Sequence, residues 1–371
     1  MTIRVGLALC DKGVDNYALA RVAGRGVPKF DFDAVELQLE NWDNYGTYLG
    51  GIRLLDILSD DFINSGNDVL RQALREVKSK KFKSFHSPIW AGNISSLDDR
   101  VRRQAMETTL KSMDAAQVFG TDVFVLHPCR YEWYYWQQFP GRISHYMDLR
   151  KKTAEIFLEN LNYLSEYYAR NGFTFKMGIE NLEFNQYPCT VSEINDLLGK
   201  SRDVWRRNVR GNDLGLVLDI QHLKHAKAVL EDNYDHQIQF MIPDEEKQDL
   251  MDYIHRPICR DYTEDHPVLN SIFRTQLEDV ILIHLAGNNH RHATHDAILY
   301  DLRSFVFEKK HMDAHMLNMK QVLDIIHHSG YNGAIILEVM STKELFDERF
   351  DEQARSVENV RNYLGFLNAN H

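Results

Sequence analysis

Cysteine is scarce in this chain. Four residues in 371 (Cys10, Cys129, Cys189 and Cys259) lie far apart, with no CxxC pair. That scatter suits reduced thiols in a cytoplasmic protein better than a disulfide framework. Basic charge is short as well: 43 Lys+Arg face 54 Asp+Glu, a formal net charge of -11. The densest basic run, KSKKFK at Lys78–Lys83, reads as a helix end before a strand. A negative molecule without a basic groove does not gather a polyanion, so neither nucleic acid nor an acidic membrane surface is expected as a partner. Long apolar runs are missing too. The opening MTIRVGLALC meets charge too soon for a signal peptide, and nothing approaches a membrane span. No linker, low-complexity tract or internal repeat divides the chain, so a single domain over residues 1–371 is expected.

What is present is a series of short, continuous apolar runs: RVGLAL from Arg4, AVELQL from Ala34, SFHSP from Ser84, VFVLHP from Val123, FKMGIEN from Phe175, LGLVLDIQH from Leu214, VILIHLA from Val280 and GAIILEVM from Gly333. Continuous runs of this kind belong to parallel strands covered on both faces. Helical spacing fills most of the intervals. SSLDDRVRRQAMETTLKSMDAAQVFG opens with a capping box, Ser96 and Asp99, and closes at Gly120; TVSEINDLLGK repeats the opening with Thr190 and Glu193. Eight strand-then-helix units predict an α/β fold, a (β/α)8 TIM barrel. A doubly wound open sheet competes less well, since no GxGxxG or GxxxxGK[ST] follows any strand. Two segments exceed a minimal barrel and predict enlarged loops. One is YEWYYWQQFPGRISHYMDLR after strand 4; the other, residues 223–279 after strand 6, is a lid or interface insertion.

Active sites of such barrels lie at the carboxyl ends of the strands. Six of the eight runs end in an imidazole or a carboxylate: His86, His127, Glu180, Asp219 with His222, His284 and Glu338. Each alone has an ordinary reading. A lone His near a strand end is usually a hydrogen-bonded core or surface residue, Glu180 before Asn181 could be a capping acid, and DxxH is common by chance. Their joint placement on one rim is different. Three carboxylates gathered in a low-dielectric cleft repel one another and are heavily desolvated unless a cation joins them. The pattern therefore predicts a divalent-metal centre.

The stretches FHSPIWAGNISSLDDRVRRQA, AAQVFGTDVFVLHP, GIENLEF, LVLDIQH, IHLAGNNH and ILEVM, in this order, resemble the xylose isomerase-like TIM barrel superfamily, which includes sugar isomerases, ketose epimerases and endonuclease IV. The resemblance runs from about Arg4 to Leu364, outside the two enlarged loops. It implies that Glu180, Asp219, His284 and Glu338 hold a shared divalent metal. It also implies that His86 and His127 match positions which, in the endonuclease branch, hold a second ion with Glu180, and that His222 and His295 match positions serving a third. The chain departs from that branch at Ala293, where an Asp is usual two residues before the His matched by His295, and at AILYD, where GEG is usual; His290, His292 and Asp296 are candidate replacements. It departs from the epimerase branch at Gly287 and His290, where Glu and Arg are usual.

Two reactions follow. In the first, the metal binds a carbonyl and an adjacent hydroxyl of a sugar, and Glu180 and Glu338 remove and return a proton beside the carbonyl. His86, His127, His222, His295 and Trp133, the last from the aromatic run after His127, are then substrate-binding candidates, because aromatic faces pack on the C–H faces of sugars. The same site could run a carbohydrate lyase or dehydratase reaction. In the second, clustered ions hydrolyse a phosphodiester, as on abasic DNA. The acidic balance and Ala293 favour the first. An oxygen-rich donor set favours Mn2+, with Co2+, Mg2+ or Zn2+ as other candidates. A homo-oligomer is expected, with a small sugar as ligand.

Overall fold

The computed structural model describes residues 3–10, 32–38, 54–88, 92–129, 143–182, 186–189, 191–211, 213–223, 277–287, 297–306, 308, 318–339 and 346–370. Eight parallel strands close in sequential order: β1 (Arg4–Cys10), β2 (Ala34–Gln38), β3 (Phe82–His86), β4 (Val123–Leu126), β5 (Lys176–Glu180), β6 (Leu214–Asp219), β7 (Val280–Leu285) and β8 (Ala334–Leu337), with β8 pairing back onto β1. This is a (β/α)8 TIM barrel.

Side chains alternate across a strand, so every second residue points into the barrel. The apolar interior is built from Ala8, Ala34, Phe82, Val123, Val125, Val217, Leu282, Ala334 and Ile336. Two residues further along the same faces stand Glu36, Ser84, His127, Asp219, His284 and Glu338. The inward faces thus change from apolar to ionisable toward the carboxyl ends. The alternate residues, among them Leu7, Val35, Phe85, Phe124, Ile179, Leu218, Ile283 and Ile335, face outward into the larger core beneath the helices. Packing on both faces is why the strands read as unbroken apolar runs.

Two local features set the height of the polar layer. Between β6 and β7 the register shifts: Leu216 pairs with Val280, but Val217 pairs with Leu282, which brings Asp219 level with His284. A slip of this kind re-aims every following side chain. On β5, Gly178 leaves room for a neighbour, since a Cβ there would lie 2.4 Å from Val217 Cγ2. The barrel is therefore narrow directly beneath Glu180.

Helix α1 (Leu54–Ile57), α2 (Asp60–Asn64) and α3 (Val69–Lys78) precede β3, and α4 (Asp99–Phe119) precedes β4. Helix α5 (Ile143–Asn171) leads to β5, α6 (Val191–Trp205) to β6, α7 (Met319–His328) to β8, and α8 (Phe346–Ala369) packs near the end of the chain. None of the described helices is long and apolar enough to cross a membrane.

Two expectations change, and a third, the opening at Thr190 and Glu193, lies partly outside the described residues. The cap of α4 is Asp98, not Ser96: its carboxylate accepts from the N–H groups of Arg100 and Val101, while Ser96 Oγ accepts from the N–H of Asp98. Gly120 does close that helix, in the left-handed conformation at φ 76°. Glu193 accepts from the Cys189 N–H at 2.9 Å and pairs with Arg150, and Thr190 lies outside the described residues. Residues 143–150, expected in the enlarged loop after β4, are the opening turns of α5. Its buried stripe runs Arg150, Thr153, Phe157, Leu161, Leu164, Tyr168, and an arginine at its head hid that start. The rest of that segment and residues 224–276 lie outside the described residues.

Candidate metal centre

Glu180, the last residue of β5, is the hub of the polar layer. Its Oε2 lies 3.1 Å from His86 Nε2 and 2.9 Å from His127 Nε2. Its Oε1 lies 3.0 Å from His284 Nδ1 and 3.9 Å from His222 Nδ1. Each oxygen thus serves a different group of partners. His86 and His127 meet edge to face with ring centroids 4.8 Å apart, and His284 lies on the far side of His86 at 6.0 Å.

Asp219 is fixed through its backbone by Asn181, the residue after Glu180. The Asn181 amide donates to the Asp219 carbonyl at 2.8 Å and accepts from the Asp219 N–H at 2.8 Å. The Asp219 Oδ1 accepts from the His222 N–H at 2.7 Å, and His222 Nδ1 sits 2.9 Å from the Asn181 carbonyl oxygen. The DxxH spacing is therefore a one-turn cap at the start of the segment after β6, which holds Asp219 and His222 together. Glu338 reaches in from the end of β8, with Oε1 3.4 Å from His284 Nδ1.

Protonation follows from these partners. Burial raises the cost of charge on Glu180, yet His284 and His127 outweigh it and hold the carboxyl well below its ordinary value. Burial alone would lower His284, but the carboxylates of Glu338, Glu36 and Glu180 hold it well above the usual histidine value. His86 is likewise pushed up to about 9: the bond to Glu180 and the charges of Glu180, Glu36 and Glu338 overcome desolvation. His127 goes down, because burial and its neighbours His86 and His222 outweigh Glu180. Its Nδ1 is buried with no hydrogen-bond partner among the described residues.

Two sets of potential donors result. One atom from each of Glu180, Asp219, His284 and Glu338 lies within 4.8 Å of the others, and the same holds for His86, His127 and Glu180. Four carboxylates are buried or nearly so (Glu36, Glu180, Asp219 and Glu338), and two imidazoles raised by their fields do not balance them. That excess of negative charge fits a divalent cation.

The structure brings together Glu180, Asp219, His284, Glu338, His86, His127 and His222. Trp133 and His295, like His290, His292, Ala293 and Asp296, lie outside the described residues. Two participants were missed in the sequence, Glu36 and Gln38 of β2. Glu36 is 0% exposed, with Oε2 3.1 Å from His284 Nε2. Gln38 donates to Glu36 Oε1 at 3.0 Å and to Glu338 Oε1. The available clue was a glutamate and a glutamine two apart in the otherwise apolar AVELQL.

Residues 25–363 match the model of the xylose isomerase-like TIM barrel. The chain belongs to that family. Among solved structures, this xylose isomerase-like barrel is similar to a D-tagatose 3-epimerase-like protein at 16% identity, covering 99% of each chain with a TM-score of 0.55. It is also similar to a 3-keto-D-glucoside 4-epimerase from E. coli at 11% identity, covering 97% of this chain and 100% of that one, TM-score 0.54. Endonuclease IV from Thermus thermophilus is similar at 15% identity, over 98% and 99% of the two chains, TM-score 0.51. No curated protein sequence matches the chain. At these identities the structural likeness shows the fold.

Proposed function

We propose that this xylose isomerase-like barrel is a divalent-metal-dependent isomerase or epimerase of sugars or sugar derivatives. One observation carries the reading: Glu180 and Glu338, on strands three apart around the barrel, each place a carboxylate oxygen in the same 4.8 Å cluster. Two carboxylates so placed approach one small molecule from different sides, as proton removal and return beside a carbonyl require. The histidines that keep Glu180 ionised also make it a weak base. The carbon acid therefore needs activation, which a divalent ion held by Glu180, Asp219, His284 and Glu338 would supply by polarising the adjacent carbonyl. Mn2+ suits this oxygen-rich set best.

Glu180 then accepts the proton from the carbon next to the carbonyl, and the C–H electron pair moves into an enediolate. Glu338, which must carry a proton in the substrate complex for this step, delivers it from its own side, and exchange with solvent resets both carboxyls before the next turnover. Return to the same carbon with inverted configuration is epimerisation; delivery to the former carbonyl carbon, with the hydroxyl proton passing between the two oxygens, is isomerisation. His86, His127 and His222 line the cluster and orient hydroxyl groups. The D-tagatose 3-epimerase-like protein and the 3-keto-D-glucoside 4-epimerase among the similar structures support the reading.

The His86–His127–Glu180 group favours a second reading, hydrolysis of a phosphodiester by clustered ions, and endonuclease IV among the similar structures gives it the same support. Elemental analysis of protein purified without chelator, followed by two assays, separates them. Near one Mn2+ per chain and turnover on a keto-sugar panel is the expected outcome. Two or more Zn2+ per chain with cleavage of abasic-site DNA would replace the first reading with the second.

A further inference from the structure

Glu36 is the most deeply buried carboxylate of the polar layer and is not among the residues that gather around a common point with Glu180. It sits behind His284. The imidazole spans the two groups: Nδ1 faces Glu180 Oε1 at 3.0 Å and Glu338 Oε1 at 3.4 Å, while Nε2 on the opposite ring edge meets Glu36 Oε2 at 3.1 Å. The other oxygen of Glu36 accepts from Gln38 Nε2, which also donates to Glu338. One strand thus braces two of the four candidate ligands from behind. Among the described residues, nothing else packed against β2 accounts for a glutamate there. Its interior neighbours Ala34 and Ala8 are apolar, and Ser84, paired with Glu36 across β3, has no hydrogen-bond partner for its hydroxyl among the described residues.

We propose that Glu36 is a positioning residue for the metal centre, with Gln38 as its link to Glu338. By accepting the Nε2–H of His284, Glu36 fixes the ring orientation and the tautomer that leaves the Nδ1 lone pair turned toward Glu180 and Glu338. A carboxylate behind a ligating imidazole also makes that imidazole a stronger donor. Gln38 holds Glu36 and Glu338 at a set separation, so the histidine and the carboxylate ligand move as one unit. The inference rests on the reading of the cluster as a metal centre and adds a residue to it.

The test is Mn2+ titration of the metal-free full-length protein by calorimetry, in the wild type and in Glu36→Ala, Glu36→Gln and Ser84→Ala. Glu36→Ala should weaken Mn2+ binding about 10- to 100-fold, the range for outer partners of metal ligands. Glu36→Gln keeps an acceptor without its charge and should lose less; it also carries the test if the alanine variant does not fold. Ser84→Ala, at the neighbouring interior position, should stay within about twofold of the wild type. In the Zn2+-loaded wild type, NMR should show a slowly exchanging Nε2–H on His284 that disappears in Glu36→Ala. Wild-type affinity in both Glu36 variants would overturn the proposal and leave the metal centre standing. An equal loss in Ser84→Ala would assign the effect to packing and overturn it as well. Failure of the wild type itself to bind Mn2+ or Zn2+ would sink the metal reading, and this proposal with it.

Discussion

Asp219 on β6 stands level with His284 on β7 only because the register between the two strands shifts at Leu216 and Val217. Without the shift, an inward-facing residue on one strand would oppose an outward-facing one on the other, since strand periodicity is two. The irregularity therefore brings an acid and an imidazole from neighbouring strands into the same layer. Irregular registers recur beside active sites for this reason.

Glu180 ties both donor groups together, so its loss should be felt in each. Glu180→Gln is expected to lower turnover at least about 100-fold, the lower range for removing a positioned general base. The variant should also bind less metal per chain. Turnover on the responsive substrate and metal content by elemental analysis check this together. Wild-type turnover in the variant would remove Glu180 from the chemistry.

The metal-free protein should lose stability as pH rises. His86 has a folded pKa of about 9 against an ordinary 6.5, and His284 is raised in the same direction. A raised histidine contributes fully below its unfolded value, and the contribution is lost as pH climbs through its folded value. Thermal melts of chelator-treated protein should fall between about pH 6.5 and 9. Mn2+ held by His284 must displace that imidazole's proton, so its binding should tighten as pH rises and release protons. A melting temperature that stays flat across this range would contradict the protonation scheme.

Asn181 provides a test of how Asp219 is held. Its buried amide makes two hydrogen bonds to the Asp219 backbone. Asn181→Ala leaves a buried N–H and a buried carbonyl without those partners, at a cost of about 1–3 kcal/mol for each unsatisfied group. Denaturant unfolding should show a loss of about 2–6 kcal/mol, and Mn2+ affinity should fall as Asp219 is released.

Much of the barrel was legible because strand burial on both faces leaves an unmistakable apolar run. Strands β1, β2, β4, β6 and β7 begin at the residues the apolar pattern indicated, and β3 begins earlier, at Phe82, whose N–H donates to the Asp33 carbonyl across the barrel wall. The strand-end residues that gather in the polar layer were legible for a related reason: an ionisable residue stands out at the end of VFVL or LGLVL. Glu36 was not legible. A glutamate and a glutamine at alternate positions of AVELQL look like the solvent face of a half-buried strand, and only closure of the barrel turns that face inward. The cap of α4 was misread because Ser96, Asp98 and Asp99 all have capping side chains, and backbone geometry at Asp98 decides among them.

Gly178 offers a separate handle on the height of Glu180. In Gly178→Ala, the added Cβ would meet Val217 Cγ2 at 2.4 Å and Val123 Cγ1 at 3.2 Å. Neither β-branched side chain can swing away within the closed barrel. Overpacking of this kind typically costs about 1–3 kcal/mol. Because residue 178 lies on the inward face two positions before Glu180, the strain should also displace that carboxylate. The melting temperature should drop and turnover should fall with it.

His127 separates the two candidate reactions in a single variant. Its Nε2 meets Glu180 Oε2, and it belongs to the His86 group but not to the cluster with Asp219 and Glu338. If proton transfer on a sugar is the reaction, His127→Gln should keep near one Mn2+ per chain and lose turnover mainly through a raised KM, since the side chain only orients substrate. If clustered ions hydrolyse a phosphodiester, the same change should remove one of two or more bound Zn2+ ions and lower kcat instead. Metal stoichiometry and the split between KM and kcat on any substrate that responds, measured on the same preparation, therefore assign the chemistry.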